Sequence, residues 1–164
     1  MIENVNPKKF LGQHFLIDEN ISKKIVNSVS LKEFDKIVEI GPGKGALTKY
    51  LFEFSDKLIL IEYDAESVEF IESSFKKHNP NIIKQDFLKY NLKDVLSQTS
   101  QNLILGNFPY NISSQIIFKV LDNYSIVNNL IGMFQKEVAE RIISKTNSKE
   151  YGIISVKTQL LYDV

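Results

Sequence analysis

The chain has 164 residues, 43% of them hydrophobic, with 20 basic residues balanced by 20 acidic ones. That length and composition fit one domain with a real core and exclude a disordered chain. Having no cysteine, it excludes disulfides, thiolate metal sites and a cysteine nucleophile, and it fits a reducing compartment.

The first twenty residues are polar and broken by Pro7 and Gly12, with no apolar run of signal-peptide length. No stretch reaches the roughly 18 apolar residues that a membrane span needs. A soluble, cytoplasmic protein is expected, monomeric and without membrane or metal partners; His14 and His78 lie too far apart to suggest a metal site. A nucleic-acid partner would have to find a local basic patch, because the whole chain carries no net positive charge.

From Lys8 to Ile17 the chain reads as an irregular arm. Asp18 can cap a helix with Ile21, Ile25 and Val29 on one face. Ile37-Val38-Glu39-Ile40 is a short buried strand stopped by Gly41-Pro42-Gly43-Lys44-Gly45, and a helix then carries Leu47, Tyr50, Leu51 and Phe54. Leu58 to Ile61 is the next strand, ending on Glu62. Asp64 can cap a third helix with Val68, Ile71 and Phe75, which Asn79-Pro80 breaks. Ile82-Ile83 starts a strand that ends near Asp86, and Leu103 to Leu105 is a fourth. A helix over Ser113 to Leu121, a strand over Leu130 to Phe134 and a helix over Lys136 to Ser144 follow. Ile153 to Leu161 is strand-like.

This alternation predicts an α/β fold, a mostly parallel twisted sheet with crossover helices on both faces. In such sheets ligands bind outside the carboxyl ends of the strands. The unusual residues gather there: the glycine loop, Glu62, Asp86 and Asn107-Phe108-Pro109-Tyr110. Glycines at 41, 43 and 45 let the backbone pass close to a ligand and turn into a helix. On its own the loop does not separate a nicotinamide cofactor from another nucleoside cofactor. Glu62 lies 21 residues after Gly41, where a strand-end carboxylate can accept from both ribose hydroxyls. Asp86 can take the exocyclic amine of an adenine. As a series along one edge, these acids point to an adenosine derivative.

Asn107 to Tyr110 suit a planar amine such as N6 of adenine. Its lone pair is delocalised into the ring, so attack on an activated methyl group is helped by two acceptors aimed at the two N–H bonds. The Asn107 side-chain oxygen and the Phe108 carbonyl can be those acceptors. Pro109 fixes the direction of that carbonyl, and Tyr110 offers a face on which the ring can stack.

Four motifs now stand in order: Gly12-Gln13-His14-Phe15-Leu16, Val38-Glu39-Ile40-Gly41-Pro42-Gly43, Gly106-Asn107-Phe108-Pro109-Tyr110-Asn111-Ile112-Ser113-Ser114, and Phe134-Gln135-Lys136-Glu137-Val138-Ala139-Glu140-Arg141. Together they resemble the ribosomal RNA adenine dimethyltransferases, and within them the bacterial small-subunit enzymes associated with kasugamycin sensitivity. The resemblance implies a Rossmann-like class I methyltransferase and S-adenosyl-L-methionine as cofactor. It implies dimethylation at N6 of two adjacent adenines near the 3′ end of small-subunit rRNA, linked to 30S biogenesis. Carried over residue by residue, the family's cofactor contacts fall on His14, Leu16, Gly41, Glu62, Asp86 and Asn107, with Gly43 in the same loop. The catalytic stretch falls on Asn107, Phe108, Pro109 and Tyr110. His14 and Leu16 come from the resemblance alone; from the residues themselves, His14 reads as a surface arm residue and Leu16 as a core anchor.

Two departures stand out. Position 108 is Phe where the family often has Leu or Ile. The chain stops at Tyr162-Asp163-Val164, where the family continues into a second ring-stacking aromatic, a final strand and a small helical domain. Residues 1–164 are therefore expected to be the catalytic domain with an arm over 1–17, truncated before that helical domain and poor in RNA affinity. Three alternatives remain: a macrolide-resistance type enzyme acting on large-subunit rRNA, a non-catalytic ribosome-assembly or transcription factor on the same fold, and a nicotinamide-dependent oxidoreductase.

Overall fold

In chain order the elements are α1 (Glu19–Val26), β1 (Lys36–Ile40), α2 (Thr48–Leu51), β2 (Leu58–Ile61), α3 (Ala65–Ser74), β3 (Ile82–Ile83), β4 (Asn102–Asn107), α4 (Ser113–Asp122), β5 (Asn129–Met133), α5 (Lys136–Ile143) and α6 (Ile153–Leu161), with short 3-10 turns between them. The computed structural model describes residues 5–8 and 11–164; residues 1–4 and 9–10, part of the arm expected over 1–17, lie outside the described residues. Among the described residues no helix is long and apolar enough to cross a membrane.

The five strands pair in parallel in the order β3-β2-β1-β4-β5. Parallel strands covered on both faces need apolar side chains on both, which is why β2 reads Leu-Ile-Leu-Ile without alternation. Successive residues point to opposite faces. Val38, Ile40, Ile59, Ile61 and Ile104 meet Phe87, Phe108, Ile116 and Val120 on one side. Ile37, Leu58, Leu60, Leu103 and Leu105 meet Phe34, Leu47, Leu51 and Ile71 on the other. From β1 the chain winds outward through β2 and β3, then returns to the other side of β1 as β4. That reversal opens a crevice between the carboxyl ends of β1 and β4.

Six local expectations need correction. The first helix stops at Val26, short of Val29, and the third strand at Ile83, short of Asp86. Ile153–Leu161 is a helix, not a strand. Ile153 is 61% exposed and Leu160 78% exposed, too open for a strand in a sheet covered on both faces. Tertiary bonds override propensity here: Gln159 Nε2 donates to the Ile142 and Ser144 carbonyls at 2.7 and 2.9 Å, and the Ser155 hydroxyl donates to the Arg141 carbonyl. These bonds tie α6 to carbonyls at the end of α5, where intrahelical partners run out. The helix expected through Phe54 is one α-helical turn followed by a 3-10 turn over Phe52–Phe54.

The fourth strand does not stop at Leu105. Gly106 pairs with Gly132 and Asn107 with Met133, so Asn107 is the last strand residue. Gly132 is needed for that close approach, since a Cβ there would lie 2.2 Å from the Gly106 carbonyl and 2.5 Å from the Phe108 ring. Asp64 does precede α3, but its carboxylate does not cap the helix backbone. It takes the Lys8 ammonium instead, together with the Ser67 hydroxyl at 3.0 Å.

Candidate active site

The glycine loop leaves β1 with Gly41, Gly43 and Gly45 at φ of 64°, 54° and 76°. Gly43 shows why a side chain is excluded. Its φ is unfavourable for other residues, and a Cβ would sit 2.9 Å from the Phe15 ring. The Gly43 N–H donates to Glu62 Oε2 at 3.2 Å, and the Asp64 N–H donates to Glu62 Oε1 at 2.8 Å. One buried carboxylate thus ties the loop to the end of β2, with a further lone pair on each oxygen for other donors. Burial raises the Glu62 pKa, and the backbone N–H bonds oppose that rise.

Asp86 stands across the crevice. Its Oδ1 accepts the Leu88 N–H at 2.9 Å. The loop is clamped from α4 by Lys119, whose ammonium donates to the Leu88 and Tyr90 carbonyls at 2.9 and 2.6 Å. Burial lowers the Lys119 pKa, and the Asp86 charge opposes it. Nothing local in the sequence marks Lys119 for this role, because its partners are backbone oxygens about thirty residues away.

Between these walls lies a cavity of about 190 Å³. Ile40, Ile61, Phe87, Leu88 and Ile112 give it apolar sides; Glu62, Asp86, His14, Gln13 and Asn107 give it polar ones. Among the described residues, none beyond its chain neighbours lies within 4 Å of where a Cβ on Gly41 would stand, so bare backbone faces the cavity. Among the described residues no cluster of three or more His, Cys, Asp or Glu side chains could hold a metal ion.

At the end of β4, the Asn107 Nδ2 donates to the His14 carbonyl at 2.6 Å. A carbonyl can only accept, so this bond fixes which end of the amide is which. Among the described residues the buried Oδ1 has no hydrogen-bond partner, so its capacity to accept is unspent. The Phe108 ring is 1% exposed and packs 4.9 Å from the Phe134 ring. The carbonyls of Pro109 and Tyr110 accept from the Ile112 N–H and the Ser113 hydroxyl, each at 3.2 Å. Among the described residues no hydrogen bond engages the Phe108 carbonyl. Tyr110 stands outside the cavity lining, with its ring stacked on the His14 imidazole at 4.7 Å.

Leu11, Gln13, His14 and Phe15 bring the arm to the cavity wall, and two attachments hold its described residues. At the β4 end it is held by the Asn107–His14 bond; at the β2 end Lys8 pairs with Asp64 and, at 3.1 Å, with Glu66. Gln13 links the two, accepting from the Lys8 N–H at 2.9 Å and donating to Asp64 at 3.5 Å. Burial alone would raise the Asp64 pKa, but the bonds from Lys8, Ser67 and Gln13 outweigh it and hold the carboxyl below its ordinary range. The fold therefore brings His14, Gly41, Gly43, Glu62, Asp86, Asn107 and Pro109 to one cavity. Leu16 lies behind the loop instead, packed on the core with Leu47.

A model of the ribosomal RNA adenine dimethylase family matches residues 4–164. A ribosomal RNA small subunit methyltransferase A from Flavobacterium johnsoniae is 52% identical over 162 residues, covering 99% of this chain and 62% of that protein. The protein of the same name from Francisella tularensis is 45% identical over 158 residues, covering 95% of this chain and 60% of its own. Among solved structures, a dimethyladenosine transferase from Plasmodium falciparum matches with a TM-score of 0.76 and 27% identity, over 90% of this chain and 52% of that one. The 23S rRNA methyltransferase ErmE shares the fold, with a TM-score of 0.67 and 23% identity over 78% of this chain and 50% of its own. The chain thus spans 62% and 60% of the length of these two curated relatives.

Proposed function

The chain belongs to the ribosomal RNA adenine dimethylase family, and on that premise we propose that it dimethylates N6 of two adjacent adenines near the 3′ end of small-subunit (16S) rRNA. The family and the class I methyltransferase fold imply S-adenosyl-L-methionine as cofactor. The proposed partner is the assembling 30S subunit, met in the cytoplasm by a monomer that uses no metal.

The residues present fit that cofactor. Two carboxylates, an apolar slot, an open glycine face and an unpartnered amide oxygen surround one cavity. When bound, the cofactor supplies an electrophilic methyl group carried on a sulfonium. Glu62 accepts from the ribose hydroxyls and Asp86 from the adenine amine. The arm, tied down through Lys8 and His14, covers the cavity and excludes water.

The observation that carries the reading is the fixed, partnerless Oδ1 of Asn107. Aimed at the N6 amine of the target, it accepts one N–H, and the free Phe108 carbonyl accepts the other. Both bonds strengthen as positive charge develops on the nitrogen, which is the differential binding that lowers a barrier. No general base is required for the attack, because the neutral amine displaces the thioether leaving group as the new N–C bond forms, and the cationic nitrogen gives up its proton to solvent afterwards. Tyr110 would orient the ring by stacking.

The test is tritium transfer from labelled S-adenosylmethionine to undermethylated 30S particles, with the modified adenines mapped by primer extension. Incorporation at two adjacent adenines near the 3′ end is expected. Cofactor binding without any transfer would instead make the protein a non-catalytic assembly factor. Transfer confined to large-subunit RNA would place it with the macrolide-resistance type.

A further inference from the structure

Tyr110 already has a ring against it. The His14 imidazole lies with its centroid 4.7 Å away and its plane inclined by 26°, while His14 as a residue is solvent-exposed. What fixes His14 is its backbone. Its carbonyl accepts the Asn107 amide at 2.6 Å. The preceding Gln13 is tied to Asp64 and to the Lys8 N–H. Gly12 packs so closely that a Cβ on it would fall 2.3 Å from Asn111 Oδ1. Among the described residues no hydrogen bond engages the imidazole itself. The ring can therefore rotate about its own side-chain bonds while the arm stays in place and Asn107 keeps its orientation.

We infer that the His14 imidazole is a resident stand-in for the target base: it covers the Tyr110 face until an unpaired purine from a single-stranded RNA loop displaces it. This inference rests on the proposed reaction, in which Tyr110 seats the methyl-accepting adenine. The imidazole sits at a separation usual for paired rings, so it occupies the space that a stacked base needs. A base presents a larger π face and stacks more strongly, and the imidazole has nothing but that stack to give up. His14 is in this sense a positioning residue with two separable parts. The carbonyl orients the acceptor on Asn107 and the ring guards the platform. The guard keeps an exposed aromatic face covered in the absence of RNA and makes every incoming base compete for it.

Competition predicts opposite effects from removing and enlarging the ring. The protein is saturated with S-adenosylhomocysteine, with binding verified by calorimetry, so that the cofactor cavity is closed to the probe. It is then titrated with a fluorescein-labelled RNA hairpin whose loop holds two adjacent adenines. His14→Ala is expected to bind the hairpin about 3- to 10-fold tighter than wild type, the range a lost ring–ring stack would give. His14→Phe, with a ring that leaves Tyr110 less readily, is expected to bind more weakly. In the wild type, the ring-current shift of the His14 protons should disappear as RNA is added. Weaker binding by His14→Ala with equal or tighter binding by His14→Phe would overturn the inference, because His14 would then be a stacking partner of the base. Unchanged affinity in both variants would overturn it as well. Failure of S-adenosylhomocysteine to bind is read separately by calorimetry and would overturn the proposed function together with this inference.

Discussion

Replacing Glu39 with Gln should make the protein more stable at neutral and alkaline pH and leave it almost unchanged in acid. Glu39 lies in β1 on the sheet face it shares with Ile37, 2% exposed, and among the described residues its Oε2 has no hydrogen-bond partner. Burial pushes its pKa from the ordinary 4.5 up to about 8, against an opposing polar contact from Thr48 and reinforced by the Glu62 charge. The sign follows from linkage. Below 4.5 the side chain is neutral in both folded and unfolded states and contributes no pH dependence. Between 4.5 and about 8 the unfolded chain ionises while the folded one stays neutral, so stability falls as pH rises. At about 1.36 kcal/mol per pH unit, this one group costs roughly 3 kcal/mol by pH 7 and at most about 5 kcal/mol above pH 8. Gln resembles the neutral acid in shape and polarity and carries no ionisation in either state. Urea unfolding at pH 5 and pH 8 measures the difference. The gap between variant and wild type should be small at pH 5 and several times larger at pH 8, in favour of Gln. Unfolding of the wild type near pH 6.5 should also release one more proton than unfolding of the variant. A variant that loses stability at pH 8 would refute the reasoning, since Glu39 would then be ionised and paired in the folded protein.

Asn107→Ala removes the acceptor assigned to the N6 amine and should lower methyl transfer by roughly 10²–10³-fold; single-turnover transfer measures the loss, and near-normal turnover would remove the side chain from the mechanism. Lys8→Ala cuts the attachment of the arm at Asp64 and Glu66. It should weaken S-adenosylhomocysteine binding several-fold by calorimetry and speed proteolytic cleavage between residues 11 and 17, with the unfolding midpoint little changed. Gly132→Ala would put a methyl group 2.2 Å from the Gly106 carbonyl and 2.5 Å from the Phe108 ring. It should cost about 1–3 kcal/mol in denaturant unfolding and should also displace the Phe108 carbonyl, so methyl transfer should fall further than stability accounts for.

Much of the crevice could be read along the chain because its parts sit at strand ends, where a local pattern changes. The apolar runs of β1 and β2 stop at Gly41 and Glu62, β3 gives out three residues before Asp86, and β4 closes on Asn107; the β3-β2-β1-β4-β5 order aligns those ends on one edge. What escaped local reading depends on contacts between distant residues. Asp64 has the type and place of a helix cap, but Lys8, 56 residues earlier, takes its carboxylate. Ile153–Leu161 has the composition of a strand, but Gln159 and Ser155 reach the end of α5 and fix a helix there. Leu16, by contrast, reads from its own residue type as a core anchor, and its side chain does pack behind the glycine loop with Leu47.

Asn107 shows most clearly where local pattern gives out. Its position after an apolar strand announces a polar group at the crevice, yet an amide presents a donor and an acceptor with nearly the same shape. The chemistry proposed here needs the acceptor. The choice is made by the His14 carbonyl, 93 residues away in sequence, which only a donor can face. Since that carbonyl belongs to the arm, it is the arm that holds the amide in the orientation leaving its oxygen without a partner among the described residues. On the proposed mechanism, a cofactor that held the arm down would also hold ready the side chain that receives the target amine.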